Sequence, residues 1–247
     1  MAKFDEILKV EINEFKVGWG NKVDYTTLNK TNTGKALKKA LDDALRDGAK
    51  REKISYKNDD IEKDFIDDFY IFSTNKKSIN EEEYNKLFDD IVEKFKNKMN
   101  SLNKEAFATH GYAQKFVSMS FKYMYCFDSS IKTNFKYCKL PLDVFTINWY
   151  KKNGTKSIVD RFKDIKYAWS KLDKDLYDDI QKDIDNILKK ECDYCVCCGN
   201  PKETVHLSNN KLECEFVIWS QERLNDLYKA IKKARKYQER LGITIKQ

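Results

Sequence analysis

The sequence predicts a mainly α protein, an irregular multi-helix globule around a buried central helix, with a cysteine-rich loop near its C-terminal end. Three observations carry this. Apolar residues recur at steps of three and four through most of the chain, the spacing of a helix face turned to a core. Glycine and proline, the residues that break helices and build turns, number only eight and two, so irregular structure is scarce. The stretch 110–127, HGYAQKFVSMSFKYMYCF, holds no acidic residue and is apolar on most sides, as a helix surrounded by other helices must be. On it Gln114, Ser118, Lys122 and Tyr125 share the one polar stripe, which is either a pocket wall or the side that meets water.

Phe4, Leu8, Ile12 and Phe15 predict an opening amphipathic helix, broken by Gly18 and Gly20 around Trp19. A loop over 21–35 follows. Thr33 is a predicted N-cap for a helix carrying Leu37, Leu41, Ala44 and Leu45, with Gly48 as its stop. Asn58 caps a third helix, with Asp59 and Asp60 in its first turn and Ile61, Phe65, Phe69 and Phe72 on one face. Asn80 and Glu83 form a capping box ahead of a broad stripe from Tyr84 to Met99.

A break at 100–103 leads into the central segment, and a polar, irregular stretch over 128–139 follows it, anchored by Phe135, Tyr137 and Cys138. Pro141 is a natural first residue for the next helix, with Asp143 at its positive end, and Asn153-Gly154 turns the chain. One helix then carries Phe162, Ile165, Ala168 and Trp169, and another carries Leu172, Leu176, Ile180, Ile184 and Ile187. After the cysteine-rich loop, Val217, Leu224, Leu227, Ile231, Ala234 and Leu241 trace the seam of a long last helix, and the tail 242–247 either pairs as a strand or hangs free. The chain reads as an N-terminal helical lobe over 1–100 and a C-terminal helical core over 101–247 with the loop at 192–214, or as a single domain.

The composition is that of a folded protein with a heavily charged surface: 41% apolar, 35% charged. The excess of 47 basic over 40 acidic residues permits a DNA, RNA or acidic protein partner without demanding one. The opening MAKFDEILKV lacks the apolar core of a secretory signal, and no run reaches the length of a membrane span. An odd set of seven cysteines in such a chain points to reduced thiols and a cytoplasmic setting.

Those cysteines give the sharpest local motif. Cys195 and Cys198 form a C-x2-C pair before Gly199-Asn200-Pro201, the turn of a zinc knuckle, and His206 and Cys214 complete a possible tetrahedral set for a structural zinc, with Cys192 and Cys197 as alternates. A second regular pair is missing, and the competing reading is of small thiols filling gaps beside a loop.

Three polar residues are candidates for a pocket: Lys115, Lys122 and Asp143, with Gln114 beside them. A lysine on so apolar a segment must snorkel to water or meet a carboxylate, and Asp143, Glu213 and Glu215 are the available ones. An internal ion-pair network is the first reading and an enzyme site the second. Pro141-Leu142-Asp143 has the look of a nuclease motif, but no carboxylate cluster or acidic-x-Lys partner accompanies it. Phosphate-cradling glycine loops, nucleophile elbows and HExxH are absent, so the chain leans away from an enzyme.

For nucleic acid the best feature is the last helix. Lys229, Lys232, Lys233, Lys236 and Arg240 fall along one flank opposite the apolar seam, and Arg235 extends the patch. An ordinary solvated helix face is the plain alternative.

The segments Gly111-Tyr112-Ala113-Gln114-Lys115, Phe121-Lys122-Tyr123, Leu140-Pro141-Leu142-Asp143, Trp169-Ser170-Lys171-Leu172 and Glu215-Phe216-Val217-Ile218-Trp219, in that order, resemble a family of uncharacterised helical proteins of bacteria and phages. The resemblance covers about the C-terminal half. It implies a bacterial or phage setting and lends no activity or ligand. The expected function is therefore that of a non-secreted binding protein, nucleic-acid-associated and acting in phage–host defence or counter-defence. The alternatives are a protein–protein inhibitor or adaptor, and a nuclease-like enzyme.

Overall fold

The computed structural model describes residues 2–166, 168–189, 193–196, 203–208 and 210–240; for 2–3, 193–196, 203–206 and 235–240 it describes the backbone alone. The protein is mainly α. Among the described residues the order is α1 (Ala2–Gly18), α2 (Lys30–Glu52), α3 (Ile66–Thr74), α4 (Glu81–Ser101), α5 (His110–Tyr125), α6 (Val144–Asn153), α7 (Lys156–Asp164), α8 (Lys174–Lys189), β1 (Asp193–Val196), β2 (Glu203–His206) and α9 (Lys211–Arg240). Short 3-10 turns sit at Ile61–Phe65, Glu105–Phe107, Lys132–Tyr137 and Trp169–Lys171.

The central segment is the buried helix that its composition requires. Every residue of α5 except Lys115 is buried. It packs against α2, α3 and α4, and its rings join theirs: Phe116 lies 4.9 Å from Phe95, and Phe121 lies 4.7 Å from Phe72 and 4.9 Å from Phe69. Aromatic pairs at such spacing add to what area burial contributes. One contiguous core runs from Phe4 to Ile218.

The polar stripe on α5 does not meet water. Gln114, Ser118 and Lys122 are fully buried. Gln114 Nε2 donates to the Gly111 carbonyl, Ser118 faces the Tyr177 hydroxyl, and Lys122 pairs with Glu215. Tyr125 Oη donates to Glu213. Later carboxylates answer two of these four, as the chemistry of a buried polar group demands.

Several boundaries differ from expectation, each for a local reason. Asn29, not Thr33, caps α2: its side chain accepts the Asn32 N–H at 2.8 Å, while Thr33 Oγ1 donates back to the Asn29 carbonyl. Gly48 does not stop α2, which runs on to Glu52. The stretch after Asn58 is a 3-10 turn before α3, and Asp60 takes a left-handed φ of 47°. Pro141 lies ahead of α6; Asp143 is the N-cap itself. Ala168 and Trp169 are not helical with Phe162, because the chain leaves α7 through Lys166 at φ 56°.

The Asn80–Glu83 capping box is present on α4 with both bonds at 2.9 Å. The cysteine-rich region contains an antiparallel ribbon, β1 against β2, rather than loop alone. The tail 242–247 lies outside the described residues.

The last helix also departs from its predicted role. Its first three turns pack on α1 and α6 through Leu212, Phe216, Val217 and Ile218. From Arg223 to Ala234, every residue is exposed or half-exposed. The seam that reads as core is uncovered there: Leu224, Leu227 and Ile231 are 49%, 56% and 44% exposed, with Tyr228 beside them at 68%.

Candidate functional site

A cleft of about 490 Å³ opens between the C-terminal half of α2, one face of α5, the start of α6 and the turn at 168–170. Lys115 is its deepest cation, half-buried where Arg46, Arg51, Lys151 and Lys166 are exposed. The Lys115 ammonium stands 4.2 Å from the centroid of the Trp169 ring and makes no hydrogen bond or ion pair with a described residue. Burial holds its pKa below the usual lysine value, against the fields of Asp143, Asp43 and Asp47.

Two of those carboxylates are committed elsewhere. Asp143 Oδ1 accepts from the Phe145 and Thr146 amides at 2.9 and 3.0 Å, closing the first turn of α6, and its own N–H donates to Thr146 Oγ1. Its Oδ2 accepts from the Trp219 indole at 3.0 Å. Asp43 accepts from the Tyr123 hydroxyl at 2.7 Å, and burial raises its pKa. Asp143 is thus a helix cap that aims a tryptophan.

Local packing sets this geometry. Gln181 bonds both backbone groups of Leu140, at 3.1 and 2.8 Å, and so fixes the extended segment that delivers Asp143. Thr109 Oγ1 donates to the Ser170 carbonyl at 3.0 Å, and Gly111 offers no side chain where a Cβ would stand 2.2 Å from the Trp169 carbonyl oxygen. The turn therefore rests directly on α5, and Trp169 becomes a wall of the cleft, edge-on to Tyr112 at 5.1 Å.

A second lobe of about 530 Å³ adjoins the first, sharing Phe15, Trp19 and Trp219. It carries Glu11, whose pKa burial raises, and Glu14, so it is the more acidic side. Lys122 borders this lobe but is answered by Glu215 at 2.5 Å. Arg223, where α9 leaves the globule, lies 5.2 Å from the Trp19 ring and 5.5 Å from the Trp219 ring.

The expected pocket is therefore only partly assembled. Lys115 and Asp143 border one cleft without touching; Lys122 belongs to the buried pair, and Gln114 lines neither lobe. Lys229, Lys232 and Lys233 are exposed on the free part of α9, with Lys229 paired to Asp226 at 3.0 Å. Arg235, Lys236 and Arg240 continue the same helix, and their side chains lie outside the described residues.

Of the expected zinc ligands, only Cys214 has a described side chain. Cys195 sits on β1 opposite Thr204, His206 on β2 opposite Asp193, and Cys198 falls outside the described residues. The one ligand with a described side chain, Cys214, is buried at the start of α9 and donates its thiol to the Ser208 carbonyl. Among the described residues no three His, Cys, Asp or Glu side chains gather as a metal would need, and no helix is long and apolar enough to cross a membrane.

Arg46, Arg51, Trp19 and Trp169 were not legible as site residues from spacing. Trp19, between Gly18 and Gly20, lies off the apolar stripe of its helix, and that displacement is its one signal, whereas Trp169 reads as part of the stripe through Phe162 and Ile165 and so as core. No family model matches the chain, and no curated protein or solved structure matches it either.

Proposed function

We propose that this is a nucleic-acid-binding protein of a bacterial or phage system, engaging the phosphate backbone through the free half of α9. The observation that carries it is the exposure of Lys229, Lys232 and Lys233 on a helix that has left the globule. At steps of three and four, these three share a stripe that the helix continues to Lys236 and Arg240. Residues 223–240 hold seven basic side chains against two acidic ones, so counterion release would drive binding and make it salt-dependent. Fluorescence anisotropy with single- and double-stranded DNA and RNA at two salt concentrations tests this. Lys232→Glu/Lys233→Glu should weaken binding at low salt and lower the salt slope by about 2. Equal affinity in the variant, or no binding at low salt, overturns it.

A second reading has its own observation. Leu224, Leu227, Tyr228 and Ile231 form an uncovered apolar stripe on the same segment, the kind of surface that a protein partner covers. Sedimentation of wild type against Leu227→Glu/Ile231→Glu, alone and with candidate partners, distinguishes the two.

A further inference from the structure

We propose that the cleft between α2, α5 and the 168–170 turn is a binding site for a nucleoside monophosphate, taken either as a free nucleotide or as the phosphorylated end of a strand. This is independent of the α9 reading, since the cleft shares no residue with the lysine stripe.

The geometry calls for an anion that also carries a flat ring. Lys115 is a half-buried cation over the Trp169 ring with no described carboxylate at contact distance, while Asp143 and Asp43 are bound to α6 with Trp219 and to Tyr123. A protein that needed only packing at this position would place an apolar side chain there, because a desolvated ammonium is costly unless something answers it. Arg46 and Arg51 project from α2 at the rim, paired at their outer ends with Asp47 and Glu52, and with Lys115, Lys151 and Lys166 the cations lining the cleft outnumber its carboxylates Asp43, Asp47 and Asp143, whereas the adjoining lobe presents Glu11 and Glu14. Arg51 Nη2 already donates to the Tyr112 hydroxyl at 3.0 Å, which holds the guanidinium against the cleft wall.

Trp169 and Trp219 supply the ring surfaces. Both are half-buried and line the cleft: the Lys115 ammonium lies over the Trp169 ring at 4.2 Å with Tyr112 steeply inclined beside it, and Trp219 meets Phe145 and Trp19 at steep angles with Arg223 5.5 Å from its centroid. Base stacking on such rings is worth about 1–3 kcal/mol per base and tolerates any base, because every base has a π-face. The volume falls within the range of about 300–1,000 Å³ that small-ligand sites occupy, and inorganic phosphate alone would leave most of it unfilled.

Titration of tryptophan fluorescence in the full-length protein tests the site. The probes are AMP, GMP, adenosine, inorganic phosphate and one oligonucleotide with and without a 5′-phosphate. The expected result is saturable quenching by AMP and GMP, at least tenfold tighter than by adenosine or phosphate. Lys115→Gln should weaken it at least tenfold with an unchanged urea midpoint, and Arg46→Gln, on an exposed residue, should weaken it about threefold if Lys115→Gln fails to fold. In the Lys232→Glu/Lys233→Glu background, a 5′-phosphorylated strand that binds where its unphosphorylated form does not identifies a strand end; binding of mononucleotides alone identifies a free ligand. Lys232→Glu/Lys233→Glu should leave the AMP and GMP titrations unchanged, which separates this site from α9. The absence of saturable binding by any phosphorylated probe, or equal binding by adenosine or by folded Lys115→Gln, overturns the proposal.

Discussion

Lys122 and Glu215 meet 2.5 Å apart at the junction of α5 and α9, and neither side chain reaches solvent. The ammonium also lies 4.3 Å from the Phe15 ring centroid, 4.7 Å from Phe216 and 5.0 Å from Trp219. Burial lifts the Glu215 carboxyl to about 7, with Lys122 pulling it back. Attraction at this range and the cost of removing two charges from water are of similar size, so the pair specifies how α5 and α9 meet more than it stabilises them. Removing one member is different, because it leaves the other unanswered. Lys122→Met should lose about 3–5 kcal/mol in urea unfolding, and Lys122→Met/Glu215→Leu should regain most of it. A single variant that loses less than about 1 kcal/mol would show that the charges are not committed to each other.

Asp143 has two duties that substitution can divide. Asp143→Ala removes both the α6 cap and the acceptor for the Trp219 indole, and should cost about 1–2 kcal/mol in thermal or urea unfolding. Asp143→Asn keeps a capping oxygen and should cost less than half as much. Trp219 emission should shift in the alanine variant, as the indole loses its acceptor. Equal costs for the two variants would mean that the cap contributes little.

Much of the fold was legible in local sequence, and the failures share one cause. The α4 capping box and the buried α5 depend on residues within a turn or two of each other, and both stand where pattern places them. Gly48 misled because a glycine's local meaning is a helix end, whereas here its missing Cβ makes room for the Tyr112 hydroxyl from a different helix. The seam on α9 misled because periodicity records an apolar stripe without saying what covers it. The cleft was the least legible part. Lys115 stood out as a cation on an apolar helix, but Arg46 and Trp169 reach it only through the packing of α2 and of a turn more than fifty residues downstream.

The two crowded glycines should respond differently to the same substitution. At Gly111 a Cβ would stand 2.2 Å from the Trp169 carbonyl oxygen and 2.8 Å from Ser170 Cα, both backbone atoms that must move together with the cleft wall. Gly111→Ala should therefore destabilise by about 2–3 kcal/mol, despite the better helix propensity of alanine, and should shift tryptophan emission. At Gly48 the obstacle at 2.2 Å is the Tyr112 hydroxyl, at the tip of a side chain that can tilt. Gly48→Ala should stay within about 1 kcal/mol of wild type, as the gain in propensity offsets the strain. Comparing the two urea midpoints checks this; a larger loss at Gly48 would place the tighter constraint on Tyr112.

His110, at the start of α5, ties stability to acid. It is 8% exposed, its ring lies 5.2 Å from Tyr177, and burial reinforced by Lys174 lowers its pKa to about 4, with Asp178 opposing. A histidine that resists protonation in the fold but accepts a proton near pH 6.5 once unfolded favours unfolding in acid. Its contribution is fully present above about pH 6.5 and is lost as pH falls toward 4, amounting to about 2 kcal/mol by pH 5. Glu215 has the opposite slope, since a raised carboxyl loses stability as pH rises from its unfolded value toward 7. A direct pH scan of the wild type would therefore mix the two. His110→Gln removes one titration and keeps the other, so the stability difference between wild type and His110→Gln isolates the histidine. That difference should move by about 2 kcal/mol against the wild type between pH 7.5 and pH 5, and a difference that stays constant would mean that His110 is open to water in the native protein.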